Sequence, residues 1–508
     1  MVESVNPTRM AATKASPVRP KTSFAGDVLK LVSGTAFAQL LGILASPILT
    51  RMYAPEAFGL VAIFTSITSI LGVVVCLRYE LAIMLPESDE EAANLLGISL
   101  MFTVLITLLT FSIVWWGGGI LLRWLNAPKL APYLWLAPVA VFFAGIFTSL
   151  NYWNSRTKKF GRLSIARVTA SLATTTAQLG AGFAGYATGG MMIGASIGGS
   201  VLATTVLGGQ IWRDDRNVFM KSIRLHDLTK GIKRYRKFPL YDTWSGLLNT
   251  ISVQLPALLL SSFFSPLTVG LYALGYRLLN VPMSLIGSAI GQVFYQRASV
   301  ANIEQKLGSV VKNTSERLLK LGVFPFLLLM TIGPDFFVVV FGVQWADAGI
   351  YMRILAPWLF FVFIGSPIST LFSVLEVQEA GLLFNVVLVI SRAASLVIGG
   401  LIGNILLALT MFSISGTALW IWLCFYLFTK SGLSVSTMSR VIMRYLLIAV
   451  LFVTPTIVTK WMLNTGPFLS LFVGLVSGVM YYLAIISQDD GLKSLAFSIL
   501  KRRKVVSP

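Results

Sequence analysis

The sequence predicts an all-α polytopic membrane protein, and two observations carry this prediction. Of the 508 residues, 56% are hydrophobic and only 12% are charged, whereas an ordinary soluble protein carries about 25% charged residues. Apolar runs recur from Leu29 to the C-terminal region, and a run of about 18 residues is long enough to cross a bilayer as a helix. The chain is therefore predicted to cross a membrane many times.

The apolar runs predict about fourteen transmembrane helices, separated by glycine, proline and charged residues. The least clearly separated pairs are divided near residue 188 and at Gly403–Asn404. In chain order the predicted spans cover residues 28–49, 58–84, 92–115, 131–152, 163–186, 188–212, 242–264, 267–292, 318–342, 347–375, 378–402, 405–429, 438–459 and 465–487.

Positive charge supports this count because Lys and Arg gather in the cytoplasmic loops of membrane proteins. With the N-terminus placed in the cytoplasm, 32 of the 40 Lys and Arg residues fall on the cytoplasmic side. We therefore expect both termini to be cytoplasmic. The net charge of +20 then reflects topology rather than binding of nucleic acid, although the basic stretch 213–237 is also suited to contact anionic membrane lipids.

Catalytic function is not indicated anywhere in the sequence. The predicted outside loops are too short to fold into a catalytic domain, and we find no metal-ligand cluster, phosphate-binding glycine loop or catalytic triad. The first 27 residues lack the apolar core of a cleavable signal peptide. Cys76 and Cys424 both fall within predicted spans, which argues against a disulfide framework. We expect neither enzymatic activity nor a cofactor.

An internal repeat relates the two halves of the chain. Pro55 and Gly59 recur as Pro266 and Gly270, offset by 211 residues, and Leu136-Ala137-Pro138 echoes Leu355-Ala356-Pro357. Six helices per half is an even number, so both halves enter the membrane from the same side. Transporters built from such parallel repeats bind substrate between the halves, near the bilayer midplane. The predicted organisation is a tail (1–27), a first half (28–212), a basic linker (213–241), a second half (242–429), two additional helices (430–487) and a second tail (488–508).

Two predicted spans each carry a stripe of polar residues along one face. The stripe on the eighth span begins with a charged residue. It starts at Arg277 and continues through Asn280, Ser284, Ser288 and Gln292. Asp242 and Asn249 lie on a similar stripe of the seventh span. A charged side chain in the middle of a membrane costs about 3 kcal/mol on insertion scales, so it usually faces water or a partner. These stripes predict a water-filled cavity between the halves. A purely structural role for Arg277, paired with an acid or with carbonyl groups, remains the alternative.

Three further arginines fall within the predicted spans and make the expected cavity cationic. They are Arg78, Arg353 and Arg392, and the spans hold few acids to balance them. Glu80 lies only two residues from Arg78, which is a poor spacing for an ion pair on a helix. A cationic cavity selects anionic substrates, and the planar guanidinium fork of arginine suits phosphate oxygens well.

Three stretches give the chain a family resemblance: "PILTRMYAPEAFGLVAIF", "LRYELAIMLPESDEEAANLL" and "GLYALGYRLLNVPMSLIGSAIGQVFYQRAS". They resemble the Wzx-type O-antigen and polysaccharide flippases of the multidrug/oligosaccharidyl-lipid/polysaccharide (MOP) exporter superfamily, relatives of MurJ and of the MATE transporters. The resemblance implies two lobes of helices around a central cavity in the bacterial cytoplasmic membrane. It also implies alternating access, with an undecaprenyl-diphosphate-linked oligosaccharide moved from the cytoplasmic to the periplasmic leaflet.

The positions of the charged and polar residues within the spans suggest roles for them, which we state as hypotheses. Arg277 and Arg392 would contact the diphosphate or its sugars. Arg51, Arg78 and Arg353 would steer the headgroup or gate its path, while Asn249, Asn280 and Asp242 would line the substrate region. Coupling to a proton or sodium gradient and association with other polysaccharide polymerisation or export proteins are expected from the family resemblance. A MATE-like multidrug antiporter and a lipid II flippase remain the alternatives, although the predicted first span, 28–49, holds no acid for binding cationic drugs.

Overall fold

The computed structural model describes residues 24–222 and 224–488, and this part of the chain is built from helices. The predicted tails at 1–27 and 488–508 lie almost entirely outside the described residues. Fourteen long helices, counted by ordinals below, follow one another in the described part. They are Phe24–Met52, Pro55–Val74, Asp89–Trp124, Ala137–Arg156, Phe160–Phe183, Gly189–Ser222, Thr243–Phe263, Pro266–Pro282 continued by Ser288–Ile303, Leu307–Phe341, Ala346–Ile368, Gln378–Leu401, Ile405–Lys430, Val435–Ile457 and Pro467–Gln488.

Length and composition identify this chain as a multi-pass membrane protein. Eleven helices of the described residues are long and apolar enough to cross a membrane. The number rises to twelve if Pro128–Leu134 and Ala137–Arg156, which are bent by 56° at a short break, form one span. The predicted count of fourteen spans is not confirmed by this measure. The fifth helix and the eighth helix with its continuation are the segments not counted.

The second helix ends ten residues earlier than the predicted span 58–84. It stops at Val74, and a tight turn leads to a short helix at Tyr79–Ala82. Leu77 and Arg78 both have positive φ angles, 47° and 63°, which a helix does not contain. The break turns the chain so that Arg78 Nη1 lies 3.8 Å from Glu80 Oε1. The expectation that these two residues are badly spaced for pairing was wrong because it assumed a continuous helix.

The predicted linker 213–241 is largely helical. Its first part extends the sixth helix to Ser222, and an amphipathic helix follows at Leu225–Arg234. Two contacts hold this linker helix on the first half: Arg234 Nη1 to Glu91 Oε1 at 2.7 Å and the Tyr79 hydroxyl to the Ile232 carbonyl at 3.2 Å. Just before it, Asn94 Nδ2 donates to the Ser222 carbonyl at the end of the sixth helix, at 2.9 Å. The end of the molecule that carries this helix is called the linker side below, and the other end the opposite side.

The eighth helix continues through the end predicted for span 267–292. Pro282 lacks the backbone N–H that would continue the α-helical ladder, and a π-helical turn at Met283–Gly287 follows it. The chain then remains helical to Ile303, and the ninth helix begins at Leu307. Residues 293–317, between the eighth and ninth predicted spans, therefore belong largely to these two long helices.

The two halves touch at the opposite side through the residues that the repeat relates. The second helix packs against the eighth, and a methyl group placed on Gly59 would overlap the carbonyl oxygen of Pro266. A methyl group on Gly270 would in turn overlap the carbonyl oxygen of Pro55. Glycine permits this approach because it carries no Cβ atom. The two copies of one short motif therefore form a symmetric backbone contact that closes the opposite side.

Further contacts between the halves surround this closure. Gln344 Nε2 and Trp345 Nε1 both donate to the Thr50 carbonyl, at 2.6 and 2.8 Å, and Asn126 Nδ2 donates to the Phe264 carbonyl at 2.9 Å. The last two helices pack against the ninth helix. The ion pair of Lys460 with Asp335 ties them to it at the opposite side.

Candidate functional site

A cavity of about 850 Å³ lies within the first half of the molecule. Its walls come from the first, second, fourth, fifth and sixth helices, and Arg277 of the eighth helix closes one side. Hydroxyl and amide side chains are frequent on the wall, among them Gln39, Thr148, Ser171, Thr174, Thr175 and Gln178. The described residues that line the cavity include no Asp or Glu.

Arg277 is the side chain that links this cavity to the second half. A methyl group placed on Gly42 of the first helix would lie 3.0 Å from Arg277 Nη2, so the absence of a side chain there makes room for the guanidinium. Arg277 forms no hydrogen bond or ion pair with any described residue. An unpaired guanidinium inside a membrane protein requires water or an anion for stability. The structural alternative, in which an acid or carbonyl groups satisfy Arg277, finds no support in these contacts.

Arg167 is a second cavity arginine, and sequence reasoning missed it. It falls near the start of the predicted span 163–186, beside the basic residues expected on the cytoplasmic side; in the structure it lies in the fifth helix and lines the cavity. Its Nη1 donates to the Thr35 hydroxyl at 2.9 Å. Its spacing to Ser171, Thr174 and Gln178 is that of one helix face, and this polar stripe was the signal that could have identified it.

The two arginines lie at different positions along the length of the cavity. Arg277 lies against Gly42 and Arg167 against Thr35, seven residues apart on the first helix. At a rise of 1.5 Å per residue this is about 10 Å along the helix axis. With no acid on the wall, the cavity attracts anions along much of its length.

Arg392 lies away from this cavity, inside the second half. Its guanidinium carbon is 5.1 Å from the ring centroid of Trp358 and 5.8 Å from that of Phe412. The ring of Tyr276 stacks against that of Trp358, with ring centroids 6.1 Å apart. Arg392 is not among the residues that line the cavity at Arg277, and its contact with substrate stays a prediction.

The remaining predicted arginines also lie outside the cavity, and two of them contact the other half. Arg51 Nη2 donates to the Val339 carbonyl at 3.1 Å. The guanidinium of Arg78 packs on Gly246 of the seventh helix so closely that a Cβ atom there would overlap it. Arg353 Nη2 donates to the Thr331 carbonyl at 3.1 Å, and its guanidinium lies 5.9 Å from the ring centroid of Trp461.

The predicted polar stripes do not meet in a cavity between the halves. Asp242 and Asn249 are exposed and Asn280 is half-buried, and none of the three lines the cavity. The reason is that the second helix packs directly on the seventh and eighth helices. Ser66 and Gln254 hydrogen-bond across this contact, with their oxygens 3.0 Å apart. The side chains of Ser288 and Gln292, which end the predicted stripe, lie outside the described residues.

The described residues form two helical halves, the first of which holds a cationic cavity, and solved structures of membrane transporters share this fold. The inward closed conformation of the lipid II flippase MurJ superposes with a TM-score of 0.71 at 12% identity, covering 91% of this chain and 99% of that one. An inward-facing multidrug resistance MATE transporter of the MOP superfamily gives 0.62 at 16% identity, covering 78% and 96%. A MOP superfamily transporter from Pyrococcus furiosus, described as having a binding pocket of reverse polarity, gives 0.52 at 16% identity, covering 80% and 96%.

The family itself is shown by the sequence. A family model described as polysaccharide biosynthesis protein matches residues 48–349. The chain belongs to this family, the Wzx-type family of the MOP superfamily, which confirms the resemblance found in the three sequence stretches. No curated protein matches the chain.

Proposed function

We propose that this protein is a flippase that moves an undecaprenyl-diphosphate-linked oligosaccharide, a repeat unit of O-antigen or exopolysaccharide, from the cytoplasmic to the periplasmic leaflet of a bacterial cytoplasmic membrane. Arg277 is the observation that carries the proposal, because it is a cavity-lining guanidinium with no partner among the described residues. A diphosphate supplies the oxygens that this group lacks. Both termini would lie in the cytoplasm.

The remainder of the cavity wall suits the sugars of such a substrate. Hydroxyl and amide groups on the fifth helix can exchange hydrogen bonds with sugar hydroxyls. Transport by this route breaks no covalent bond, so we propose a transporter rather than an enzyme. A multidrug antiporter would need acids to bind cationic drugs, and none of the cavity-lining residues is an acid.

The support for the proposed roles of the other predicted site residues differs from residue to residue. Arg51 and Arg78 of the first half each contact the second half, which supports their proposed role as gates. For Arg353, Arg392 and the polar residues Asp242, Asn249 and Asn280, contact with substrate remains a proposal for a conformation in which the halves separate. We also propose that a proton or sodium gradient drives the cycle, and that polymerisation or export proteins receive the product.

Reconstituted protein tests this proposal directly. We expect wild-type proteoliposomes to move a fluorescent undecaprenyl-diphosphate-linked oligosaccharide between leaflets, measured by its accessibility to an impermeant quencher. Lipid II run in parallel distinguishes the two flippase substrates. Export of a cationic dye without movement of any lipid-linked sugar would contradict the proposal and favour the antiporter.

Arg167→Gln is expected to slow this transport about tenfold. The change removes one charged donor from the cavity, and a hydrogen bond to a charged group contributes about 1.5–3 kcal/mol. Arg440→Gln is the matched control, because Arg440 is exposed and bonds only within its own helix. Equal rates for Arg167→Gln and the control would remove Arg167 from the substrate path.

A further inference from the structure

Glu80 is a buried acid that none of the steps above uses. Its side chain is only 4% exposed, and its Oε2 atom is buried without any hydrogen-bond partner. Its other oxygen, Oε1, lies 3.8 Å from Arg78 Nη1, beyond the length of a hydrogen bond. A carboxylate in this position is poorly solvated and held by one weak ion pair.

Among the described residues around Glu80, Arg78 is the one positive charge that compensates the carboxylate. The Tyr152 hydroxyl of the fourth helix and the Cys76 thiol, four residues before Glu80, are titratable groups that sense its charge but supply no positive charge. Arg156 of the fourth helix forms an ion pair with Asp89 at 3.0 Å and donates to nearby carbonyl oxygens. Glu91 of the third helix is paired with Arg234, and Asp242, at the end of the π-helical segment that packs on Tyr79–Ala82, forms no ion pair with a described residue. Burial therefore dominates, and it raises the pKa of Glu80 to about 7.

Arg78 connects this acid to the other half of the molecule. Its guanidinium packs on Gly246, in the first turn of the seventh helix, with no room for a Cβ atom between them. Arg78 reaches this position because Leu77 and Arg78 adopt left-handed φ angles that end the second helix. Such conformations are costly for residues other than glycine, so the surrounding contacts must hold them. The same side chain is thus paired with Glu80 and wedged against the second half.

We propose that Glu80 is a proton-binding site that controls the contact between the two halves on the linker side. The ionised carboxylate holds the Arg78 guanidinium over Gly246 and keeps the halves together. Addition of a proton to Oε2 makes the carboxyl neutral, removes the charge that holds Arg78, and allows the linker-side ends to separate. No other bond forms or breaks. The use of this step to drive transport rests on the proposed function, but the switch itself does not.

The test measures the separation of the halves without any substrate, so a failed transport assay cannot affect it. Spin labels on Asn217→Cys of the sixth helix and Asn313→Cys of the ninth, both exposed helical positions on the linker side, report the distance between the halves. Both native cysteines are buried. We expect the distance in the wild type to increase as the pH falls from 8 to 6, with a midpoint near the pKa of about 7.

Two variants and one control decide the origin of the change. Glu80→Gln mimics the protonated state and should give the long distance at both pH values. Gly246→Ala, which displaces the guanidinium without touching the acid, should do the same. Glu379→Gln, an exposed acid on the linker side, should behave as the wild type. A wild type without a pH response, or a Glu80→Gln variant that keeps the response, would overturn the proposal.

Discussion

Replacement of Arg277 by Gln is expected to reduce transport of the diphosphate-linked oligosaccharide about 100-fold. Arg277 has no hydrogen bond or ion pair with a described residue, so its bonding capacity is free for the substrate. Two hydrogen bonds to phosphate oxygens at about 1.5 kcal/mol each amount to about 3 kcal/mol, and each 1.4 kcal/mol is a factor of ten. The measurement is the initial rate of leaflet exchange in proteoliposomes at a substrate concentration below saturation.

A graded series separates charge from geometry at this position. Arg277→Lys keeps the charge but loses the planar fork, so it should fall between the wild type and Arg277→Gln. The exposed Arg440→Gln controls for loss of one positive charge, and a thermal unfolding measurement controls for folding. A rate for Arg277→Gln equal to that of the control would show that Arg277 does not contact the substrate.

The helical class and the unusual charge at Arg277 could be predicted because both depend on local composition. Apolar runs show where helices lie, and Arg277 stood out because its charge is costly in a membrane. Arg167 was missed for the opposite reason. It lies next to a basic cluster that positive-inside topology already explained, so its charge carried no separate signal. Only the polar face that it shares with Ser171 and Gln178 marks it as a cavity residue.

The position of Arg392 could not have been predicted from its own helix. Its surroundings come from three other helices, through Trp358, Phe412 and Tyr276. A guanidinium over aromatic faces gains about 2 kcal/mol or more when it is desolvated, which offers it an alternative to water. The break at Arg78 was equally hidden, because no glycine or proline marks the turn. Long-range packing, rather than local propensity, decides both positions.

A large side chain at the glycine contact of the opposite side is expected to keep that side open. Gly270→Leu places atoms where the Pro55 carbonyl lies, and overpacking of a close contact costs about 1–3 kcal/mol or more. The closed state loses this energy while a state with separated helices does not, so the population shifts by about 10- to 100-fold. Under the alternating access that the family resemblance implies, both closures are needed in turn, so transport should fall by a similar factor.

Thiol labelling measures this shift without a transport assay. Ser261 is fully buried and its hydroxyl donates to the Leu125 carbonyl, where the halves meet. In a Ser261→Cys background, we expect Gly270→Leu to speed reaction with an impermeant thiol reagent about tenfold or more. Gly72→Leu is the matched control, since nothing lies within 4 Å of that position in the second helix. The repeat predicts that Gly59→Leu, which meets the Pro266 carbonyl, acts as Gly270→Leu does, and different outcomes for the two would show that the closure is not symmetric in energy.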